Sequence, residues 1–347
     1  MRNEGGGSWR KLNRYRMAEG VEIVRGQGDR VELKVSMPGD EHGFFGRQCP
    51  SCDQVFRVSM IDYEKLPDDL FLWCVYCGHH CEHSEFMTQQ QKDRALQAVT
   101  DLSVQMVDHM FAEVFGRGSR SRRSGSGIEI RYRSKPFYPR PLPGIDEERL
   151  VRERKCVDCS LRYAVFGEHR FCPVCGVLPS DVVSTDALAA ETARLDGLAQ
   201  LPADAVATLR EQGVFTRIWV DTLENLVGIV ETLASAVFRA AVVDAATRLN
   251  GKGNIFQRLD DTADLFVAAG HADLRAVLDT STWRRLGESW AARHVFTHND
   301  GVIDARYLAR VPSSTARIGQ RLTITEASCR QAIVDVDALC RALTALT

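Results

Sequence analysis

Eight of the eleven cysteines recur in four Cys-x-x-Cys pairs. Twenty-one residues separate the first two pairs, and twelve residues separate the last two. Two such pairs on tight turns can bring four thiolates to one tetrahedral zinc ion. The spacing therefore predicts two zinc ions, each in a small zinc-ribbon module with short strands. The predicted ligands are Cys49, Cys52, Cys74 and Cys77 for the first ion, and Cys156, Cys159, Cys172 and Cys175 for the second.

Both predicted zinc ions are interpreted as structural. Four cysteine ligands close the coordination sphere and leave no position for water or substrate. Such a site supplies folding energy to a domain too small for a large core. The neighbouring His79, His80, Cys81 and His83 are interpreted as residues that surround the first site or face solvent, with a further metal ion as the alternative.

A second group of residues able to do chemistry lies in "ARHVFTHNDGVIDARYL", residues 292–308. Arg293 and His298 are five positions apart, which rotates them by about 140° around a helix. We therefore expect two protomers or a distorted helix end to bring them together. His294 and His298 lie one turn apart on the same face, so a metal-binding pair is an alternative. Another alternative is that the segment is only a polar helix end, capped by Asn299 and Gly301.

Three helices are predicted to position or connect these groups. The first begins at the cap residue Thr88, with Gln91 three positions on, and carries apolar residues at helical spacing. The second runs without interruption from Phe215 to a stop at Asn250. The third opens with Thr323 as its cap. The apolar positions of the third are Cys329, Ile333, Val336, Leu339, Leu343 and Leu346, and Cys340 is also assigned to the core.

The helical pattern from residue 184 to 347, with four residues between Arg293 and His298, resembles the HEPN family of helical-bundle domains. The resemblance implies an antiparallel bundle that pairs with a second copy and cleaves RNA without a metal ion. It also implies that His298 acts as general acid or base and that Arg293 stabilises charge on the phosphate. His294 or Asn299 would orient the substrate. Family members are common in defence or toxin-type systems.

A basic segment separates the two cysteine groups. Between Arg117 and Arg140 there are seven arginines and Lys135 against a single acidic residue, Glu129. Tyr132, Phe137 and Tyr138 are interleaved with them. Cations that neutralise phosphates and aromatic rings that stack on bases are typical of a surface that binds single strands. A solvated linker that only connects domains is the alternative.

Composition and these motifs together predict a multidomain α+β protein. Its predicted parts are an N-terminal zinc ribbon with its following helix (1–116), a basic linker (117–144), a second zinc ribbon (145–182) and an all-α antiparallel helical bundle (183–347). A net charge of −2 neither demands nor excludes a nucleic-acid partner. No apolar run is long enough to span a membrane, so a cytoplasmic location is expected.

The sequence therefore predicts a metal-independent endoribonuclease that is a homodimer through its C-terminal bundle, with RNA or another single-stranded nucleic acid as partner. The zinc ribbons and the basic linker would hold or select the nucleic acid. The alternative is a non-catalytic zinc protein that binds nucleic acid or protein, in which the helical bundle only dimerises.

Overall fold

The computed structural model describes residues 14–27, 30–116, 135–145 and 152–346. The arginine-rich residues 117–134, with Glu129 and Tyr132, lie outside the described residues. The chain divides into two compact units. The first comprises residues 1–166 and 171–176, and the second comprises residues 167–170 and 177–347. Together they form a mixed α+β protein, with small antiparallel sheets near the cysteine groups and a helical C-terminal region.

The first unit is built from short strands and one long helix. The elements are β1 (Val21–Gln27), β2 (Arg30–Val35), β3 (Phe44–Gln48), β4 (Val55–Ser59), α1 (Met60–Tyr63), β5 (Phe71–Trp73), β6 (His80–Glu82), α2 (Gln89–Gly116), β7 (Arg152–Lys155), β8 (Arg162–Val165), β9 (Phe171–Cys172) and β10 (Gly176–Val177). Strands β1 and β2 form an antiparallel hairpin, as do β5 and β6. The largest sheet has four antiparallel strands in the order β3-β4-β8-β7.

The cysteine groups share that four-stranded sheet. Strand β4 follows Cys52 and strand β8 follows Cys159, and the two pair so that Val58 lies opposite Tyr163. Both of these side chains are fully buried. The pairing joins segments about a hundred residues apart, and it was not anticipated from the sequence.

Arg162 adds a second link between β8 and the end of β4. Its Nε donates to Asp62 at 2.8 Å, and its Nη2 donates to Ser59 at 3.0 Å. The Arg162 guanidinium lowers the pKa of Asp62 to about 2. The carboxylate of Asp62 therefore stays charged, and the ion pair stays intact, at any ordinary pH.

Helix α2 begins where the sequence predicted. Gln91 N donates to Thr88 Oγ1 at 3.3 Å, and Thr88 N donates back to Gln91 Oε1 at 3.3 Å. These reciprocal bonds satisfy amides that the first turn of a helix leaves without an intrahelical partner. Gln91 is fully buried and its Nε2 also donates to Gly46 O at 2.8 Å, which ties the start of the helix to β3.

The second unit is helical. The elements are α3 (Ser180–Ala199), α4 (Ala203–Glu211), α5 (Val214–Ala241), α6 (Ala245–Leu249), α7 (Leu259–Ala268), α8 (Leu274–Val277), α9 (Thr280–Asn299), α10 (Ala305–Arg310) and α11 (Glu326–Thr344). Helices α3, α5 and α11 pack on one another and supply much of the core. Apolar residues along α5 are buried from Trp219 to Phe238, in agreement with the predicted stripe.

Two helix boundaries differ from the prediction. Helix α5 ends at Ala241 instead of continuing to Asn250, because Val242 adopts an extended conformation and is buried. The chain then restarts as the short helix α6. Helix α11 is capped by Thr325 and not by Thr323. Ser328 N donates to Thr325 Oγ1 at 3.2 Å, and Thr325 N donates to Ser328 Oγ at 3.0 Å.

Among the described residues, no helix is both long enough and apolar enough to cross a lipid bilayer.

Candidate functional site

The first group of four cysteines brings its sulfur atoms together. The Sγ atoms of Cys49 and Cys77 are 3.7 Å apart, and those of Cys52 and Cys74 are also 3.7 Å apart. All four lie within 4.8 Å of one another. A metal ion with bonds of about 2.3 Å to sulfur has tetrahedral S–S edges of about 3.8 Å, whereas a disulfide is about 2.05 Å long. The group therefore fits a tetrahedral metal ion.

The second group of four cysteines has the same geometry. The Sγ atoms of Cys156 and Cys175 are 3.8 Å apart, and those of Cys159 and Cys172 are 3.7 Å apart. All four sulfur atoms again lie within 4.8 Å of one another. Two four-cysteine groups in this protein can thus hold metal ions, and their members are the cysteines that the sequence analysis named.

The residue after each Cys-x-x-Cys pair turns the chain in the same way. These four residues are Asp53 (φ 58°), Gly78 (φ 73°), Ser160 (φ 61°) and Gly176 (φ 81°). A left-handed residue at this point folds the chain back, so that both sulfur atoms of a pair face the same side. Asp and Ser accept this conformation at some cost, whereas glycine accepts it freely. The local turn thus preforms half of each metal site.

The two four-cysteine groups interlock through aromatic residues that precede a ligand. Trp73 N donates to Pro173 O at 2.8 Å, and Phe171 N donates to Val75 O at 3.1 Å. The rings of Trp73 and Phe171 are parallel, with centroids 6.0 Å apart. A Cβ atom at Gly78 would lie 2.5 Å from the Phe171 ring, and one at Gly176 would lie 3.1 Å from the Trp73 ring. The aromatic ring beside each four-cysteine group therefore packs against a glycine of the other group.

Burial opposes ionisation of the thiols in both groups, although at Cys77 and Cys156 hydrogen bonds outweigh burial and lower the pKa. Burial raises the pKa of Cys74 and of Cys172 far above the ordinary range, and it raises the pKa of Cys175 to about 12. Metal ligation requires thiolates, so a cation bound at either site would supply the positive charge that stabilises them. The donor set fits a soft or borderline cation such as zinc.

The histidines beside the first group have other contacts. The His80 ring stacks on Trp73 with centroids 4.1 Å apart, and His83 Nδ1 lies 2.6 Å from the Tyr63 hydroxyl. His79 lies against Phe86. Among the described residues, only the two four-cysteine groups assemble three or more metal-ligand side chains in reach of one ion.

A different kind of site lies in the helical unit, where α9 faces α10. A cavity of about 610 Å³ is lined by Arg293, His294 and His298 of α9. These are three of the four residues that the sequence singled out for catalysis, and they line the same cavity within one chain. The cavity is also lined by Arg258, Arg306 and Arg310, with Asp260, Asp261, Trp290, Asn254 and Gln257 among its other residues.

The surroundings of His294 favour its neutral form. Arg306 Nη1 lies 3.3 Å from His294 Nε2, and because a guanidinium can only donate, Nε2 must carry the lone pair. Burial lowers the pKa of His294 below its ordinary value, and the charges of Arg306, His298 and Arg310 lower it further. The rings of His294 and His298 have centroids 4.7 Å apart. The exposed His298 and the neutral His294 can therefore reach one ligand together.

Arg293 is a partly buried cation at the same cavity. Its Nε atom is buried and forms no hydrogen bond with the described residues. A buried donor of this kind is costly unless a ligand or water satisfies it. Arg293, Arg306 and Arg310 also form no ion pair within the described part of the chain, whereas Arg258 pairs with Asp261 at 2.8 Å. An anion that entered the cavity would meet three arginines without a carboxylate partner.

Asn299, the fourth predicted residue, has a different role. Its Nδ2 donates to Val302 O at 2.7 Å and so closes the turn after α9. It does not line the cavity. The turn continues through Asp300 (φ 46°) and Gly301 (φ 78°), and Gly301 N donates to Val295 O at 3.1 Å. This is the helix cap that the sequence analysis held as an alternative, and it coexists with the cavity.

Comparison with protein families, with curated proteins and with solved structures found no match for this chain. No family match therefore supports the resemblance to the HEPN family, which stays a prediction from the motif around Arg293 and His298 and from the helical pattern.

Sequence reasoning missed the other arginines of the cavity. Arg306 and Arg310 lie one turn apart on α10, whose first turn is capped by Asp304 through a 2.8 Å bond from Tyr307 N. Their i, i+4 spacing was a readable signal, because it places two cations on one face of a short helix. Arg258 directly precedes α7, and no local sequence pattern connects it with α9.

The basic surface predicted around residues 117–140 is described only at its end. Tyr138 is largely exposed, and the Arg16 guanidinium lies 5.4 Å from its ring centroid. Phe137 and Lys135 line a small cavity of about 150 Å³ with Arg14, Arg16 and His109. Cationic and aromatic side chains therefore occur together at this end of the segment, and nucleic-acid binding by the segment stays a prediction.

Proposed function

We propose that the helical unit is a metal-independent endoribonuclease whose site is the cavity between α9 and α10. One observation carries this proposal: a neutral histidine, a second histidine and three arginines without carboxylate partners in the described chain line the same cavity. Arginines bind and orient a phosphodiester. Paired histidines supply a proton acceptor and a proton donor near neutral pH. The helices around the cavity would form the antiparallel bundle that the resemblance implies.

In the proposed reaction the ribose 2′-hydroxyl attacks the adjacent phosphorus. His294 Nε2 accepts the hydroxyl proton, the new bond joins the 2′-oxygen to phosphorus, and the bond from phosphorus to the 5′-oxygen breaks. His298 donates a proton to the departing 5′-oxygen. The products are a 2′,3′-cyclic phosphate and a 5′-hydroxyl, so that atoms and protons balance without water or a metal ion.

The arginines prepare this step. Arg306 donates to His294 Nε2 in the free protein and must leave it before that nitrogen can accept a proton. A phosphate oxygen is a stronger acceptor than imidazole, so substrate binding draws Arg306 away and frees the base. Arg293 and Arg310 would then stabilise the charge that builds up on phosphorus. Arg293 and His298 line the cavity of one chain, so the proposed site needs no second copy to complete it.

We further propose that both four-cysteine groups bind zinc. Four thiolates at tetrahedral spacing suit zinc and leave no open position, so each ion would stabilise the fold and take no part in cleavage. The exposed Tyr138, Arg16 and Lys135 would hold single-stranded RNA. A protein that binds RNA through these groups without cleaving it is the competing function.

Cleavage of a labelled single-stranded RNA in a magnesium-free buffer with chelator tests the endoribonuclease proposal. We expect products that end in 2′,3′-cyclic phosphate. We also expect that His294→Ala and His298→Ala each lower the rate by about 100-fold or more, because each removes one proton-transfer group. His271→Gln, a histidine change outside the cavity, is the matched control and should leave the rate unchanged.

Zinc content and folding are checked for every variant, so that loss of structure is not mistaken for loss of catalysis. Binding of RNA by the folded wild-type protein without any cleavage would contradict the proposal and favour the binding function. Equal rates for wild-type protein and both histidine variants would also contradict it.

A further inference from the structure

Helix α2 exposes an apolar stripe to solvent. Seven large apolar side chains on this helix are between 41% and 65% exposed. They recur at helical spacing, so they share one face over about five turns, or about 27 Å. We call this face the α2 stripe. Its members are Leu96, Val99, Val104, Val107, Met110, Phe111 and Val114, with Thr100 and Ser103 between them.

The opposite face of α2 is already occupied, so the helix cannot turn to bury the stripe. Gln105 Oε1 accepts from Arg16 N at 2.8 Å, and Gln105 Nε2 donates to Arg16 O at 2.7 Å. Gln97 Nε2 donates to Pro141 O at 2.9 Å. Ala98 and Leu102 are buried on the same side. The rotation of α2 is therefore fixed by its own unit.

The α2 stripe is free of charge along its whole length. From Leu96 to Val114 its members are apolar except for Thr100 and Ser103. These two hydroxyls donate to carbonyls in their own helix, Thr100 to Leu96 O and Ser103 to Val99 O, at 2.8 Å each. Covering the stripe would therefore leave no side-chain hydroxyl without a hydrogen-bond partner. A charged partner would find no ion pair on the stripe, whereas an equally apolar helix would bury apolar surface against it.

The order of residue sizes along the stripe favours a second copy of the same helix in the antiparallel direction. Apart from Val104, the positions of the stripe are symmetric about the level of Gln105. The smallest members, Thr100 and Ser103, precede this level, whereas Met110 and Phe111 follow it. An antiparallel pairing sets large against small, whereas a parallel pairing would set Phe111 against the partner's Phe111. The opposing pairs are Leu96 with the partner's Val114, Val99 with the partner's Phe111, Thr100 with the partner's Met110, and Ser103 with the partner's Val107.

We infer that the protein forms a homodimer in which two copies of α2 pair antiparallel through the α2 stripe. The seven side chains expose on the order of 600 Å² per chain, so pairing removes about 1,000 Å² from water in total, which is near the lower limit for a specific interface. The dimer is therefore of moderate affinity. Since the contact is apolar, salt does not weaken it. This inference is independent of the proposed ribonuclease activity.

Sedimentation velocity on the full, metal-loaded chain tests the inference. We expect a dimer whose fraction rises between about 1 and about 100 µM and does not fall at high salt. Val107→Glu sets a charge in each copy against an apolar surface and should raise the dissociation constant at least about 100-fold. Ile61→Glu is the matched control, because Ile61 is 61% exposed on α1 of the same unit and should leave the dimer intact.

A photo-crosslinking residue in place of Met110 tests the direction of pairing. Mixed isotope-labelled copies should crosslink residue 110 to the partner's peptide around residue 100 in the antiparallel dimer. This second variant keeps an apolar side chain on the stripe, so it also serves if Val107→Glu fails to fold.

Three results would overturn the inference. The first is a wild-type protein that stays monomeric at the highest concentration. The second is a dimer that Val107→Glu leaves as stable as Ile61→Glu does. The third is a crosslink from residue 110 to the partner's residue 110, which would show a parallel pair.

Discussion

At the scale of single residues, the decisive feature is the protonation of His294. A histidine that accepts a hydrogen bond from Arg306 is neutral, and burial with nearby cations keeps it so to lower pH. Without these neighbours it would titrate near its ordinary value. In the proposed reaction the same arginines would bind the phosphate and keep His294 neutral.

This arrangement predicts the effect of replacing Arg306. Burial is the larger cause of the lowered His294 pKa and Arg306 is the next, so Arg306→Gln should raise that pKa towards its ordinary value without fully restoring it. The protonated form would then persist to higher pH. A pH titration of the imidazole resonances by NMR measures the change.

Arg341→Gln is the control for this titration, because Arg341 pairs with Asp337 on α11 and does not line the cavity. An unchanged His294 titration in Arg306→Gln would contradict the proposed contact. In the cleavage assay the rate should rise with pH through the pKa of His294, because only the neutral ring accepts the proton.

At the scale of elements, the end of α9 controls the position of His298. The turn needs a left-handed residue at Gly301, and a Cβ atom there would lie 2.7 Å from the Phe296 ring. Gly301→Ala therefore combines backbone strain with a clash one turn from the cavity. We expect it to lower the free energy of unfolding by about 1–3 kcal/mol, as measured by urea denaturation.

Gly270→Ala separates backbone strain from the side-chain clash as causes of the lost stability. Gly270 also has a positive φ, 90°, but a Cβ atom there meets nothing within 4 Å. Its substitution should therefore cost only the backbone strain and destabilise the protein less than Gly301→Ala does. Equal losses of stability would show that the Phe296 contact contributes nothing.

At the scale of the whole molecule, the two four-cysteine groups lie in one compact unit. They share the four-stranded sheet, and Trp73 and Phe171 each pack on a glycine of the other group. Loss of either metal ion should therefore weaken the site of the other. Two sites joined in this way should bind metal ions with positive coupling.

Cys172→Ser tests this coupling. It removes one ligand of the second site, and we expect the remaining zinc to bind the first site at least about 10-fold more weakly, as measured by chelator competition. Cys81→Ser is the control, because Cys81 belongs to neither four-cysteine group. A first site of unchanged affinity in Cys172→Ser would show that the two centres fold independently.

The sequence alone determined the features that arise from local geometry. The four Cys-x-x-Cys turns, the cap of α2 at Thr88 and the buried positions of α11 each depend on residues a few positions apart, so spacing and residue type were enough to predict them. The sequence also singled out Arg293, His294 and His298, although it predicted that Arg293 and His298 would need two protomers or a distorted helix end to meet.

Only the tertiary structure decided what depends on residues distant in the chain. The pairing of β4 with β8, the meeting of Arg258 with α9, and the break of α5 at Val242 follow from packing that no local pattern encodes. The exposure of the α2 stripe is the clearest case. Its spacing predicted an apolar helix face. Whether that face is buried or exposed depends on which side of α2 the rest of the unit covers.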